Sequence, residues 1–383
     1  MDLNFNTNYP SIDSLRKKAK CKMPGFAFDY VDGGCNELVN LHKNTKELRD
    51  IELKPQYLSP YGDISMKTEL FGETYDAPFG IAPVGLQGLA WPKAPEILAK
   101  AAFEHNIPYV LSTVSTSSIE TIAEITEGKA WFQLYNPISD EIRDDIMDRC
   151  EAAGIKTFVI LTDVPKFGYR NSEIKNGLTI PPKMTARNIA QVMASPQWAM
   201  ETLKHGQPEF KTIKKYMPDD LDLSQIGLFM QNTFDGRMSQ DQVKKIRDKW
   251  KGNLVIKGVE SVEDAQISHD LGLDGIIVSN HGGRQLDAAE SSISSAIQIV
   301  EKFKGKIKIM MDSGIRTGPD IARVLANDVE FCFMGKSFMY GVGALGEQGG
   351  NHTITILKNQ LDQVMRQLCC DKIENLPNHL IRK

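Results

Sequence analysis

Short, continuous apolar runs recur along the chain, and most are followed by a segment in which apolar residues have helical spacing. The runs begin at Phe79, Pro108, Ala130, Thr157, Asn253, Gly275, Lys308 and Val329. Between them lie amphipathic patterns such as APEILAKAAFEH and SDEIRDDIMDRCEAAG. Continuous apolar strands that alternate with helices indicate an α/β protein with a parallel sheet covered by helices. Eight such units favour a closed (β/α)8 TIM barrel over an open sheet.

Two segments lie outside this repeat. Residues 1–75 form an N-terminal lead-in, and residues 181–235 form a long insertion between strands 4 and 5 without a clear periodic pattern. A connection of that length is usually functional or disordered. We assign residues 76–350 to the barrel and 351–383 to C-terminal helices, and we expect a single domain over 1–383.

The composition narrows the class of protein. Of the 383 residues, 41% are hydrophobic and 25% are charged, which is typical of a soluble globular protein with a sizeable core. The formal net charge of -4 gives no reason to expect a nucleic-acid partner. Six cysteines form no CxxC pair and no zinc-like pattern with histidine, so we expect reduced thiols in the cytoplasm and no metal site. Neither a secretory signal nor the roughly 18-residue apolar run of a membrane-spanning helix is recognisable.

Polar residues stand where the predicted strands end. The strand ends are Gly85, Ser112, Gln133 with Tyr135, Asp163, Lys257, Ser279 with His281, Asp312 and Gly335, most of them polar and several titratable. Catalytic groups of such barrels lie at the C-terminal ends of the strands. Burying a charge there costs several kcal/mol unless it has a partner, so one such residue alone indicates a structural salt bridge. A whole ring of polar strand ends indicates a functional site.

The last two units indicate phosphate binding. DSGIRTG and FMGKS place Gly314, Arg316, Gly335 and Lys336 after strands 7 and 8. In many barrels these loops bind phosphate through backbone N–H groups and a helix N-terminus. Each motif taken alone is also compatible with an ordinary turn. Together they predict a phosphorylated cofactor or substrate.

The segment SNHGGRQLD closely resembles the signature of the FMN-dependent L-2-hydroxy acid dehydrogenases and oxidases. That family includes glycolate oxidase, lactate oxidase, (S)-mandelate dehydrogenase and the flavin domain of yeast L-lactate dehydrogenase. The resemblance covers nearly the whole chain, through MPGFAFDYVDGG, APVGLQGLAWP, WFQLY, TDVPKFGYRNSEIKNG, VIKGV and DSGIRTG. The pattern is nearest to the bacterial mandelate and lactate dehydrogenases. The resemblance implies an oxidoreductase that uses FMN to oxidise a 2-hydroxy acid at its CH–OH group.

The resemblance also implies roles at the substrate. His281 matches the family's base, Asp163 the carboxylate that stabilises the resulting imidazolium, and Tyr135 a tyrosine close to the substrate hydroxyl. The residues matched to groups that hold the substrate carboxylate are Tyr30, Arg170 and Arg284. Gly282 and Gly283 are expected to turn the chain so that base and arginine face one substrate. Whether His281 takes the α-C–H proton or the hydroxyl proton stays open.

Cofactor contacts follow from the same resemblance. Lys257 matches the lysine near flavin N1 and O2, where a fixed cation stabilises the reduced anion. The other matched contacts are Pro83, Val84, Gly85, Ser112, Gln133, Ser279, Asp312, Gly314, Arg316, Gly335 and Lys336.

Several positions depart from the commoner family pattern. Lys336 stands where arginine is usual, and Leu161 and Val84 stand where relatives often have threonine. Gly85 and Val114 replace bulkier residues beside the expected substrate side chain. The hypothesis is a pocket for an acid larger than glycolate, such as lactate, a longer aliphatic acid or mandelate. The alternative is that a neighbouring loop fills the space.

The insertion from Pro181 to Pro218 is basic and also carries apolar and aromatic residues. It resembles the segment by which bacterial mandelate and lactate dehydrogenases attach to the membrane and pass electrons to quinone. We therefore expect peripheral contact through 181–218 with the inner face of the cytoplasmic membrane, and a mobile lid is the alternative. The family resemblance also suggests a homotetramer.

The electron acceptor is left open by the sequence. A dehydrogenase that donates to quinone or another acceptor is favoured, and a hydrogen-peroxide-forming oxidase shares its first half-reaction. A non-redox FMN-dependent isomerase is a more distant alternative. The pairing of His281 with Arg284 argues against it, because a carboxylate clamp has no evident purpose there.

Overall fold

The N-terminal lead-in forms three helices and a hairpin in the computed structural model. The structure describes residues 5–178, 185–218, 225, 229, 232–234 and 237–382. The lead-in elements are α1 Ile12–Lys22, α2 Gly25–Asp32, α3 Val39–Arg49, β1 Thr68–Leu70 and β2 Glu73–Tyr75. Phe71 and Gly72 join the two strands with φ angles of 53° and 78°, as a two-residue hairpin turn requires.

Eight parallel strands, one from each predicted apolar run, form the central sheet. Their bounds are β3 Phe79–Ile81, β4 Val110–Ser112, β5 Trp131–Leu134, β6 Thr157–Leu161, β7 Asn253–Val259, β8 Gly275–Val278, β9 Lys308–Met311 and β10 Phe331–Met334. Consecutive strands pair from β4 to β10, and β10 also pairs with β3. A parallel bridge between Ile81 and Tyr109 joins β3 to the start of β4. The predicted closed barrel is therefore confirmed.

Helices surround the barrel, and serine or threonine begins most of those that follow a strand. The helices are α4 Gln87–Ala90, α5 Ala94–Glu104, α6 Ile119–Thr126, α7 Asp140–Ala152, α8 Asn171–Lys175, α9 Ala186–Met193, α10 Pro196–His205, α11 Gln240–Lys249, α12 Val262–Asp270, α13 Ser292–Phe303, α14 Gly318–Ala326, α15 Lys336–Leu345 and α16 Gly349–Leu368, with 3-10 turns at Lys214–Tyr216, Gly346–Gln348 and Ile373–His379. Residues whose side chains accept a capping N–H bond include Ser118, Ser139, Ser239, Ser261, Ser291 and Thr317. Such caps satisfy amide donors that the first helical turn leaves free.

Alternation along the strands separates two apolar cores. Ile277 packs inside the barrel, whereas its neighbours Ile276 and Val278 pack between the sheet and the helices. The inner core also contains Ala82, Val110, Trp131, Val159, Val255, Met310, Phe331 and Phe333. Because side chains repeat every second residue, the next inward positions are Val84, Ser112, Gln133, Leu161, Lys257, Ser279, Asp312 and Gly335. The polar strand ends therefore converge at the mouth of the barrel.

The lead-in hairpin closes the opposite end of the barrel. Leu70 and Tyr75 belong to the inner core, and Phe71 packs on Trp131 with ring centroids 5.7 Å apart. The indole Nε1 of Trp131 donates a hydrogen bond to the Tyr75 hydroxyl at 3.3 Å. The barrel therefore has an apolar floor and a polar mouth.

The long insertion contains regular structure that the sequence pattern did not predict. Helices α9 and α10 are 8 and 10 residues long. A capping box at Thr185 starts α9, and Trp198 of α10 is buried against Phe26, its Nε1 donating to the Leu89 carbonyl at 3.1 Å. The insertion thus docks on the barrel mouth through α2 and α4. Of the predicted insertion 181–235, residues 181–184, 219–224, 226–228, 230, 231 and 235 lie outside the described residues.

Candidate active site

One continuous cavity of about 1910 Å³ opens at the mouth of the barrel. Its volume exceeds the roughly 300–1,000 Å³ of a typical small-ligand pocket, so it has room for a cofactor and a substrate together. The cavity extends outward to Trp198 and Leu203 of the insertion. Helices α9 and α10 therefore border the entrance to the site.

Most of the residues predicted from the sequence line this cavity. They are Tyr30, Pro83, Val84, Gly85, Ser112, Val114, Gln133, Tyr135, Arg170, Lys257, His281, Arg284, Asp312, Arg316, Gly335 and Lys336. Three others, Asp163, Ser279 and Gly314, are not among the lining residues. Asp163 and Ser279 lie behind His281 and Lys257, and an added Cβ at Gly314 would come within 2.8 Å of the Asn44 carbonyl. Contact of Ser279 and Gly314 with a cofactor stays a prediction.

His281 is held at the mouth by an unusual stretch of backbone. His281, Gly282 and Gly283 have φ angles of 58°, 69° and 71°, all in the left-handed region. A side chain at Gly283 would place its Cβ 2.5 Å from the Leu41 backbone, so only glycine fits. A left-handed histidine costs about 1–2 kcal/mol. This turn brings His281 and Arg284 onto the same cavity.

The imidazole of His281 is paired with a buried carboxylate. Nδ1 of His281 lies 3.0 Å from Oδ1 of Asp163, whose side chain is 6% exposed. Burial lowers the pKa of His281 below its ordinary 6.5, although Asp163 opposes that shift. Burial would raise the pKa of Asp163, but the charges of His281 and Lys257 outweigh it and lower that pKa. The pair therefore presents a neutral imidazole beside an ionised carboxylate.

Lys257 places a positive charge at the bottom of the cavity. Its Nζ lies 3.0 Å from Oδ2 of Asp312 and 3.9 Å from Oδ2 of Asp163, and it donates to Ser279 Oγ at 2.7 Å. Burial would lower the pKa of Lys257, but the two carboxylates raise it above its ordinary value. Ser279 Oγ also accepts from the His281 backbone N–H at 3.1 Å. One serine thus braces both the lysine and the histidine loop.

Unpaired polar groups in the cavity fit a flavin with a phosphate tail. Nε2 of Gln133 is buried without a hydrogen-bond partner, although its Oε1 accepts from Ser112 Oγ at 3.0 Å. A buried unpaired amide donor is costly, and a flavin edge offers the acceptors it lacks. At the other end, Arg316 and the N-terminus of α15 at Gly335 border the cavity, which suits a phosphate.

Lys336 does not point its charge freely into the predicted phosphate loop. Its Nζ donates to the carbonyls of Val31, Asp32 and Gly33 at 2.8, 2.9 and 2.6 Å. These carbonyls end helix α2, where a cation complements the helix dipole. The three donors of the ammonium are thereby occupied, so a direct phosphate contact by Lys336 stays a prediction. Its observed contacts connect the loop after β10 to the helix that carries Tyr30.

Glu173 of α8 is a site residue that the sequence analysis missed. Its carboxylate binds Nη2 of Arg284 at 2.6 Å and Nη1 of Arg170 at 3.4 Å. The spacing of Arg170 and Glu173 is that of a helical ion pair and offered a signal. No sequence signal connects Glu173 to Arg284. The Arg284 guanidinium also lies over the Tyr30 ring, 5.2 Å from its centroid.

Gly85 and Val114 face each other beside Tyr30, as the pocket hypothesis requires. A Cβ added at Gly85 would lie 2.6 Å from Val114 Cγ2 and 3.6 Å from the Tyr30 hydroxyl. The Tyr30 hydroxyl donates to the Gly85 carbonyl at 3.0 Å. Burial raises the pKa values of Tyr30 and Tyr135, so both phenols remain neutral hydrogen-bond donors. The open space on this side depends on glycine at position 85.

Comparisons with known proteins agree with this geometry. The model of the FMN-dependent dehydrogenase family matches residues 19–383. An L-lactate dehydrogenase of Vibrio cholerae is 37% identical over 366 residues, covering 95% of each chain, and one of Yersinia pestis is 35% identical, covering 95% of this chain and 94% of its own.

Solved structures give the same result. The monotopic membrane protein (S)-mandelate dehydrogenase superposes with a TM-score of 0.93 at 32% identity, covering 98% of this chain and 100% of its own. A mandelate oxidase superposes with a TM-score of 0.81 at 27% identity, covering 98% and 99%. The family model matches nearly the whole chain, and the solved structures share its barrel. The chain therefore belongs to the FMN-dependent dehydrogenase family.

Proposed function

We propose that this protein uses FMN to oxidise an L-2-hydroxy acid, of the size of lactate or mandelate, to the 2-oxo acid. The observation that carries the proposal is the convergence of His281, paired with Asp163, and two arginines on one cavity. A base and a carboxylate clamp together are what the oxidation of a 2-hydroxy acid requires. The lactate and mandelate dehydrogenases among the relatives support this substrate class.

The chain's own residues divide the work as follows. Bound FMN would supply the acceptor for the two electrons that leave the substrate's α carbon. Arg284 and Arg170 hold the substrate carboxylate, with Tyr30 beside them. His281 takes a proton from the substrate, and the charge of Asp163 stabilises the imidazolium that forms.

At the cofactor, the contacts proposed for the flavin ring are the Gln133 amide, Ser112 and the Lys257 ammonium. Lys257 keeps a fixed positive charge where reduction of a flavin builds negative charge. Arg316 and the start of α15 are proposed to bind the phosphate. In the proposal Asp312 fixes Lys257 through the 3.0 Å ion pair.

The test is the visible spectrum of the purified protein under anaerobic conditions. L-lactate and then (S)-mandelate are added, and the proposal expects the yellow flavin absorption to bleach with at least one of them. A flavin that neither acid bleaches would contradict the proposed substrate class. Reoxidation by a quinone analogue is then compared with reoxidation by oxygen. Faster reoxidation by oxygen would favour the hydrogen-peroxide-forming oxidase over the dehydrogenase.

We also propose that the insertion rests on a membrane surface. Its helices expose Ile189, Met193, Met200 and Leu203 at 54%, 76%, 61% and 86%. Spacings of three and four residues put each pair on one helix face, and Arg187 and Lys204 are exposed beside them. Apolar residues with neighbouring cations are typical of helices that lie in an anionic membrane interface. Among the described residues, no helix is both long and apolar enough to span a bilayer.

The membrane proposal is tested with vesicles that contain an anionic phospholipid. A variant with Met193→Gln, Met200→Gln and Leu203→Gln should lose co-sedimentation, while Trp198 still anchors the insertion. The control replaces three apolar residues elsewhere that are also more than half exposed, Val39→Gln, Ile138→Gln and Leu286→Gln. Equal sedimentation of both variants and the wild type would contradict the proposal. A single domain over 1–383 and a homotetramer remain predictions, to be checked by limited proteolysis and light scattering.

A further inference from the structure

The carboxylate of Glu173 pairs with both arginines that are proposed to bind the substrate carboxylate, at what we call the carboxylate-binding end of the cavity. Glu173 is 8% exposed and lies between Arg284 and Arg170, at 2.6 Å and 3.4 Å. The side chains of both arginines are 12% exposed. Two guanidinium cations against one carboxylate leave a single positive charge in a largely desolvated place. Burial and the neighbouring Arg170 lower the pKa of Arg284, as incomplete compensation would.

The surrounding charges do not cancel that surplus. Asp163 is paired with His281 and lies 3.9 Å from Lys257. The ammonium of Lys336 directs its three N–H donors at backbone carbonyls and away from a ligand. Asp32 is paired with Arg16 at 2.6 Å. The net charge offered to a ligand at this end is therefore set by Arg170, Arg284 and Glu173.

Part of the arginine pair is left for a ligand. Nε of Arg170 is buried without a hydrogen-bond partner, and Arg170 lines the cavity. Its Nη2 is held by Oε1 of Gln285 at 3.2 Å, and Gln285 also donates to the Asp163 carbonyl at 3.1 Å. Glu173 and Gln285 thus fix both Nη atoms of the guanidinium, while the Nε–H has no hydrogen-bond partner and one positive charge is not balanced. One carboxylate of a ligand can accept the hydrogen bond from this Nε–H and balance the remaining positive charge.

We propose that Glu173 sets the charge of this end so that the site selects 2-hydroxy monocarboxylates and rejects 2-hydroxy dicarboxylates. The proposal rests on the proposed function, since it takes this end to bind the substrate carboxylate. Glu173 is a positioning residue that also repels a second carboxylate. Without its charge, two uncompensated guanidinium groups would favour a dianion.

The experiment compares two unreactive ligands of the same shape, malonate and its half-amide malonamate, which differ by one negative charge. Their dissociation constants are measured by isothermal titration calorimetry on the FMN-loaded protein. In Glu173→Gln, the preference for malonate over malonamate should rise about tenfold or more relative to wild type. That factor is a modest part of the interaction of two unit charges a few ångströms apart at an effective dielectric constant near 20.

Two further variants separate charge from structure. Glu173→Asp retains the charge and should keep the preference within about threefold of wild type, even if both ligands bind more weakly. Arg170→Gln removes a positive charge and should shift the preference the opposite way, which keeps the test available if Glu173→Gln fails to bind flavin. An unchanged preference in Glu173→Gln, or an equal change in Glu173→Asp, would overturn the proposal.

The outcome for Glu173 is distinguishable from the outcome for the proposed function. Ligand binding is measured without turnover, whereas the proposed function is read from bleaching by a hydroxy acid. Bleaching with an unchanged ligand preference would overturn only the role of Glu173. A shifted preference in a protein that no 2-hydroxy acid bleaches would support the charge assignment and overturn the substrate class.

Discussion

Replacing Asp163 with asparagine removes the charge that balances the imidazolium of His281 while retaining the size of the side chain. Oδ1 of Asp163 lies 3.0 Å from Nδ1 of His281, and Oδ2 is buried without a hydrogen-bond partner. The amide therefore retains a hydrogen-bond acceptor for Nδ1. The change tests charge rather than geometry. We expect proton transfer to His281 to become much slower.

The magnitude follows from the short separation of the two groups. Two unit charges about 4 Å apart interact by about 4 kcal/mol at an effective dielectric constant near 20. Lys257 loses a neighbour at 3.9 Å but keeps Asp312 at 3.0 Å as its counter-charge, so the main loss falls on His281. A net cost of about 3–4 kcal/mol to the transition state corresponds to a rate about 100- to 1,000-fold lower.

The assay is anaerobic stopped-flow measurement of flavin bleaching at saturating substrate, as a function of pH. Loss of Asp163 should also move the acidic limb of the rate profile to lower pH, because the imidazolium is no longer stabilised. Bound flavin and melting temperature are measured on the same samples to show that the variant folds. A rate within threefold of wild type, or a limb displaced to higher pH, would refute the assigned role of Asp163.

Three further predictions concern other groups. Because burial lowers the pKa of His281 below 6.5, the wild-type kcat/KM should be flat from pH 7 to 8 and fall only in more acidic solution; a fall beginning above pH 7 would contradict this. Gly85→Ala puts a methyl 2.6 Å from Val114 Cγ2, so kcat/KM should drop about tenfold more for mandelate than for lactate, with Val114→Ala restoring part of the loss; equal losses would contradict the pocket assignment. Burial and nearby Asp163 raise the pKa of Glu260 from 4.5 to about 7, so the folded protein loses stability as the pH rises through that range. In denaturant titrations, the free energy of unfolding of Glu260→Gln should exceed that of the wild type by about 1–2 kcal/mol at pH 8 and equal it at pH 4.

The barrel was predictable because each of its strands is a continuous apolar run followed by a polar strand end. The hairpin floor was not, because Thr68–Leu70 and Glu73–Tyr75 are three residues each and carry too few positions for an alternating pattern. Helices α9 and α10 were not predicted either. Their docking on the barrel involves Trp198 packing against Phe26, a contact between distant parts of the chain that no local pattern signals.

The site shows the same division between local and distant information. His281 and its glycines form one motif, and the resemblance of that motif to a known family places the base and the clamp together. Glu173 and Arg284 are 111 positions apart, and nothing in the sequence signals that they meet. Lys336 was expected to act as a phosphate cation. Instead, its ammonium donates hydrogen bonds to the carbonyls at the end of α2. The sequence does not signal this contact, because it forms between the lead-in and the loop after β10, 303 to 305 residues apart.

The apolar floor built from Leu70, Tyr75 and Trp131 makes the barrel single-ended. Within the described part of the chain, reactants approach a bound cofactor from the mouth, where helices α9 and α10 border the cavity. The hydroxy acid, the keto acid and the electron acceptor then use the same entrance and occupy it one after another. A shared entrance favours a ping-pong mechanism, in which the keto acid leaves before the acceptor reoxidises the cofactor. It also predicts inhibition by excess substrate, because a second hydroxy acid can occupy the entrance before the acceptor does.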